Sequence, residues 1–181
     1  LASMFPVVLI SYRYGVKWGL LSGFTYSLLQ MIMGAKVVSA MFLPGEDQMA
    51  VWQAICVCLL DYVLAYTILG VGGMFKGKFK KPALELALGV FVALLLRYIV
   101  HIISGAIFYG AWAEWFFYQE GFYKIGESIL GKYSGTALSI VYSVFYNGLY
   151  MVPEIIITTV VAAILGNVPQ ITGVKNPKKD K

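Results

Sequence analysis

Residues Pro82–Phe117 read PALELALGVFVALLLRYIVHIISGAIFYGAWAEWFF. Between Glu85 and Glu114, Arg97 is the only formally charged residue and His101 the only histidine. A membrane helix needs about 20 apolar residues at about 1.5 Å rise each, so this stretch is a membrane span. It is too long for one straight crossing and is expected to bend or continue into an interfacial piece on the outer side. Trp112, Trp115, Phe116 and Phe117 fit that piece, because amphipathic rings prefer the membrane–water boundary.

Working outward, further membrane helices are expected at roughly Met4–Tyr12, Val16–Met33, Met49–Phe75 and Gly135–Gly166. The first is short for a full crossing. The 181 residues are 60% hydrophobic and 13% charged, with a mean hydropathy of +0.77. A soluble domain has about 45–50% apolar and about 25% charged residues. The fold class is therefore all-α, a polytopic membrane helix bundle. It is expected to form one integral membrane domain over 1–181, with a basic cytoplasmic tail at 172–181.

The net charge of +5 does not mark a nucleic-acid binder, because the cations gather at loops. Lys76, Lys78, Lys80 and Lys81 share one connection, Lys175, Lys178, Lys179 and Lys181 share the tail, and Arg13 and Lys17 flank a tight turn. The positive-inside rule makes these the cytoplasmic ends. Gly34–Gln48 and Trp112–Gly135 then face outward. Counting back across the spans puts Leu1 outside, which predicts a further helix before it and six in all.

Gly15, Gly19 and Gly23 recur every four residues and form a smooth stripe for close helix packing, more readily within the chain than against a partner. Pro153 is expected to bend the last helix. Cys56 and Cys58 point to different faces, as small buried side chains. Gly72–Lys78 has the G-x-x-x-x-G-K spacing of a phosphate loop, but Phe79 replaces the hydroxyl residue and a membrane helix precedes it. It reads as a cytoplasmic turn, and the chain shows no ATPase. With one histidine and two ill-placed cysteines, no metal site is expected.

Three polar stretches lie deep within spans: Asp61-Tyr62, Arg97 through His101, and Tyr142 through Asn147. Ionisable groups at that depth are costly and mark a polar cavity or substrate path. Asp61 and Arg97 lie at similar depth on neighbouring helices, and a direct pair would lower the cost of both. Tyr62 and Tyr66 continue the Asp61 helix. His101, Gly105, Phe108 and Tyr109 follow Arg97 at helical spacing. Asn147, Tyr150 and Glu154 share one face of the last helix, with Glu154 set outside the core site. Counting Asp61 and Glu154 against Arg97, with His101 neutral, leaves one negative charge among aromatic rings. That favours a flat organic cation.

Leu60-Asp61-Tyr62-Val63-Leu64-Ala65-Tyr66, Arg97-Tyr98-Ile99-Val100-His101-Ile102-Ile103-Ser104-Gly105, and Tyr142-Ser143-Val144-Phe145-Tyr146-Asn147-Gly148 with Pro153-Glu154 resemble the thiamine-specific S component (ThiT/YuaJ family) of energy-coupling factor (ECF) transporters. The likeness runs from about Arg13 to Glu154. It implies a six-helix S-component fold whose first helix, with its docking motif, is absent from this chain. It implies a high-affinity thiamine-binding subunit of the bacterial plasma membrane, multi-pass, with a cytoplasmic C-terminus. The implied partners are a transmembrane coupling protein and two ATPase subunits. ATP is used by those subunits only, and the chain needs no cofactor. The implied substrate-binding residues are Asp61, Tyr62, Arg97, His101, Tyr109, Tyr142 and Asn147. The thiazolium would sit by Asp61 against His101 and Tyr109, with the aminopyrimidine bonded by Tyr142 and Asn147. The family's stacking aromatic before its second helix is missing here. The rival readings are an S component for a pyridoxine-like or riboflavin-like vitamin, a membrane acid–base enzyme, and a non-transport membrane protein.

Overall fold

The structure, a computed structural model, describes residues 2–173. Among these the long elements are helices: α1 Phe5–Tyr14, α2 Val16–Met33, α3 Ala35–Ala40, α4 Val51–Phe75, α5 Pro82–Phe108, α6 Ala113–Phe117, α7 Tyr123–Lys132, α8 Gly135–Leu165 and α9 Pro169–Thr172. The basic tail lies, beyond Gly173, outside the described residues.

Helices α4, α5 and α8 are long and apolar enough to cross a membrane. Helix α5 shows why. Phe91, Leu95, Ile99, Ile103 and Ile107 are exposed at every fourth position, whereas Arg97, His101 and Ser104 are buried. An oily stripe outside and polar groups inside suit lipid as the surrounding solvent. Helix α8 packs along α5 and likewise exposes Val152, Ile156, Val160 and Ile164.

The long fourth segment divides as expected. Helix α5 ends at Phe108, a single 3-10 turn follows at Gly110–Trp112, and α6 begins at Ala113. The four aromatics expected at an interface do not behave alike, however. Trp112 and Trp115 are exposed, but Phe116 and Phe117 are buried with Ile129, Leu138 and Tyr142. The amphipathic helix α7 accounts for this by supplying an apolar face for both rings.

Helix α1 spans only ten residues, about 15 Å of helix. It lies within the core: Phe5, Val8 and Tyr12 pack with Leu69 of α4, Leu86, Val90 and Leu94 of α5, and Met151 of α8. Gly15 ends it at φ +99°, a conformation open to glycine. A side chain there would meet nothing, so Gly15 is a turn residue and not part of the expected stripe. Gly19 and Gly23 do form it. A Cβ on Gly19 would fall 2.6 Å from the Gly70 carbonyl oxygen, and one on Gly23 2.6 Å from that of Tyr66. The stripe thus seats α2 on α4 within the chain.

The phosphate-loop-like stretch is the packed end of α4 and not wholly a turn. Gly72 and Gly73 are buried within the helix, and only Lys76 onward leaves it. The Phe79 amide, which a phosphate loop would turn toward an anion, donates instead to Glu85 Oε1 at 2.9 Å. Tyr12 donates its hydroxyl to Glu85 Oε2 at 2.7 Å. Cys58 is buried, while Cys56 is only partly so. Helix α8 continues through Pro153 to Leu165.

Candidate functional site

Asp61 sits in a π-helical segment of α4, Cys58–Leu64. Such wide turns are rare and recur at functional sites. They displace the following side chains from ordinary helical positions. Val57, Asp61, Tyr62 and Tyr66 of α4 all reach one cavity of about 380 Å³. Helix α5 contributes Arg97, His101 and Gly105, with Tyr109 just beyond it, and α8 contributes Tyr142, Tyr146, Asn147 and Tyr150. Val37 and Met41 close the remaining side. Pockets for small ligands span about 300–1,000 Å³, so this one has the size of a small-molecule site.

All seven residues read from the sequence line this cavity. Their connections differ from the expected ones. Among the described residues no direct Asp61–Arg97 pair forms. Asp61 Oδ1 lies 2.8 Å from His101 Nδ1, and Asp61 Oδ2 accepts from the Ser104 hydroxyl at 2.8 Å. Arg97 Nε donates to His101 Nε2 at 3.2 Å. Its guanidinium also contacts the Met4 sulfur and lies 4.2 Å from the Tyr66 ring centroid. The guanidinium cannot accept, so Nε2 is the accepting ring nitrogen and Nδ1 carries the hydrogen toward Asp61. The physical reason is reach: His101, one turn beyond Arg97, fills the space that a direct pair would need.

The charge count also changes. Glu154 does not line the cavity. Its Oε1 accepts from the Ala2 amide and the Thr158 hydroxyl, both at 2.9 Å. The cavity thus holds one carboxylate and one guanidinium. They differ in access. The Asp61 side chain is 21% exposed, while Arg97 is 5% exposed beneath His101 and Tyr66. An incoming molecule meets the anion before the cation.

At the other end, Asn147 Nδ2 donates to Ser143 O at 2.9 Å and to His101 O at 3.3 Å. Main-chain carbonyls only accept, which fixes the amide orientation. Tyr150 donates its hydroxyl to Asn147 Oδ1. Gly105 makes this approach possible, since a Cβ there would lie 2.3 Å from Ser143 Oγ. Tyr142 packs edge-on against Phe116 at 5.4 Å between centroids.

A profile of the family described as "Thiamine transporter protein (Thia_YuaJ)" matches residues 1–115. The thiamine transporter ThiT of Bacillus subtilis (strain 168) is 33% identical over 171 residues, covering 90% of this chain and 71% of that protein. The chain belongs to the thiamine transporter family. This family member is accordingly a membrane transport protein.

Several cavity residues of this transporter were not assigned to the site from sequence. Tyr66, Tyr146 and Tyr150 line it, Ser104 donates to Asp61, and Ser143 accepts from Asn147. Tyr150 carries a signal in the sequence, one turn beyond Asn147 on the face it shares with Glu154. Ser104, three residues past His101, had the same kind of signal. A second hollow of about 370 Å³ adjoins the first and shares Val37, Met41 and Tyr109 with it.

Proposed function

We propose that this transporter is the thiamine-capturing S component of an ECF importer. It would be a multi-pass protein of a bacterial plasma membrane with its C-terminus in the cytoplasm. Import would depend on a transmembrane coupling protein and two ATPase subunits. One observation carries the ligand assignment: the accessible charge in a tyrosine-lined cavity is the Asp61 carboxylate, with Arg97 buried behind it. A thiazolium would rest against Asp61, flanked by His101 and Tyr109. The aminopyrimidine would bond to Tyr142 and Asn147. Tyr62 and Arg97 complete the walls, with Arg97 holding His101 in the orientation that Asp61 requires. Aromatic faces attract cations by about 0.5–2 kcal/mol each, which adds to the carboxylate's pull. Family membership supports the same ligand.

The balance of one carboxylate against one guanidinium favours a second reading, a flat neutral vitamin. Thiamine, pyridoxine and riboflavin titrated separately into detergent-purified protein, followed by tryptophan fluorescence, distinguish them. Saturable quenching by thiamine alone is expected. A flat thiamine titration at micromolar concentrations rejects the assignment.

A further inference from the structure

Both amide hydrogens of Asn147 are directed at the protein. Nδ2 faces Ser143 O, Ser143 Oγ and His101 O, and Ser143 spends its own hydroxyl hydrogen on Ile102 O at 2.8 Å. Asn147 therefore has nothing to donate to a ligand. Only Oδ1 remains for recognition, and the Tyr150 hydroxyl already occupies it. Asn147 is 6% exposed and Tyr150 44%, and both line the cavity. The Tyr150 ring also stands edge-on to His101, 6.1 Å between centroids. It thus lies against both polar ends of the cavity.

We infer that Tyr150 is a further affinity-setting residue of this site, whose hydroxyl occupies the acceptor that the ligand's own donor needs. This rests on the thiamine reading above. The incoming amino group exchanges with the phenol for the same oxygen. A hydrogen bond formed in place of another yields little net affinity. A ligand that pushes the ring aside without offering a donor leaves Oδ1 buried and unpaired, which is penalised. Tyr150 therefore lowers affinity for the right ligand and leaves the Asn147 oxygen satisfied between binding events.

The test is thiamine affinity of wild-type protein, Tyr150→Phe and Tyr150→Leu, each measured beside the analogue whose exocyclic amine is replaced by oxygen. A net hydrogen bond of about 0.5–1.5 kcal/mol corresponds to about 2–12-fold in affinity. Tyr150→Phe frees Oδ1 before any ligand arrives, so it is expected to bind thiamine and the oxygen analogue each tighter by about that factor, with the ratio between the two unchanged. Tyr150→Leu should raise thiamine affinity in the same direction. Unchanged or weaker thiamine binding by Tyr150→Phe, where wild-type protein binds thiamine, overturns the inference alone. If wild-type protein fails to bind thiamine, the ligand assignment falls and takes this inference with it.

Discussion

Asp61 Oδ1 lies 2.8 Å from His101 Nδ1, and this contact sets the polarity of the cavity wall. It fixes the imidazole so that its other nitrogen accepts from Arg97. Acid, ring and base form a relay across two helices instead of a direct ion pair. The carboxylate stays at the cavity surface and the guanidinium behind it. The first prediction concerns that carboxylate. Asp61→Asn keeps the shape and a hydrogen-bond acceptor but removes the charge. Charge-assisted bonds are worth about 1.5–3 kcal/mol, so thiamine affinity should fall by about 10–100-fold in fluorescence titration. Full affinity in this variant would exclude a cation at Asp61.

His101→Ala unpairs Asp61 and Arg97 together. Breaking a buried charged arrangement by removing one partner costs about 3–5 kcal/mol. The thermal unfolding midpoint in detergent should drop further than it does for Asp61→Asn. Equal midpoints would mean that the imidazole does not bridge the two.

Gly105→Ala would push a methyl to 2.3 Å from Ser143 Oγ and 3.2 Å from its Cβ. Overpacking of this kind costs about 1–3 kcal/mol. The variant should unfold at lower temperature and bind less thiamine, with partial recovery when Ser143→Gly is added. Gly45→Ala is the control, because a Cβ there meets nothing within 4 Å. Comparable losses in both variants would refute the packing argument.

Tyr12→Phe removes one of the donors to Glu85, far from the cavity lining. Leaving a buried carboxylate short of a donor costs about 1–3 kcal/mol. Stability should fall while thiamine affinity in the folded protein stays at the wild-type value. A parallel loss of affinity would show that the α1–α5 anchor and the cavity are coupled.

Much of this protein is readable along the chain because lipid imposes a simple code. Apolar runs of fixed length gave α4, α5 and α8, and glycines at four-residue spacing gave the α2 seam. Charged residues within such runs are so costly that Asp61, Arg97 and His101 marked the cavity without coordinates. The short helices were hidden for the opposite reason. Helix α3 is six residues long and α7 ten, so neither leaves a long periodic signal. The π turn around Asp61 leaves no mark in the sequence, because a single widened turn does not change which residues are apolar.

Residue types and depth, both carried by the one-dimensional pattern, determined that this is a membrane helix bundle and which three stretches hold the polar groups. Only the tertiary structure decided who bonds to whom. Asp61 reaches His101 and not Arg97, Glu154 turns to Ala2 and Thr158, and Phe116 and Phe117 leave the interface for a core. These outcomes depend on side-chain reach and on competition for a few ångströms of space between helices distant in sequence. Helical periodicity specifies the face a residue occupies, but not its partner across the bundle.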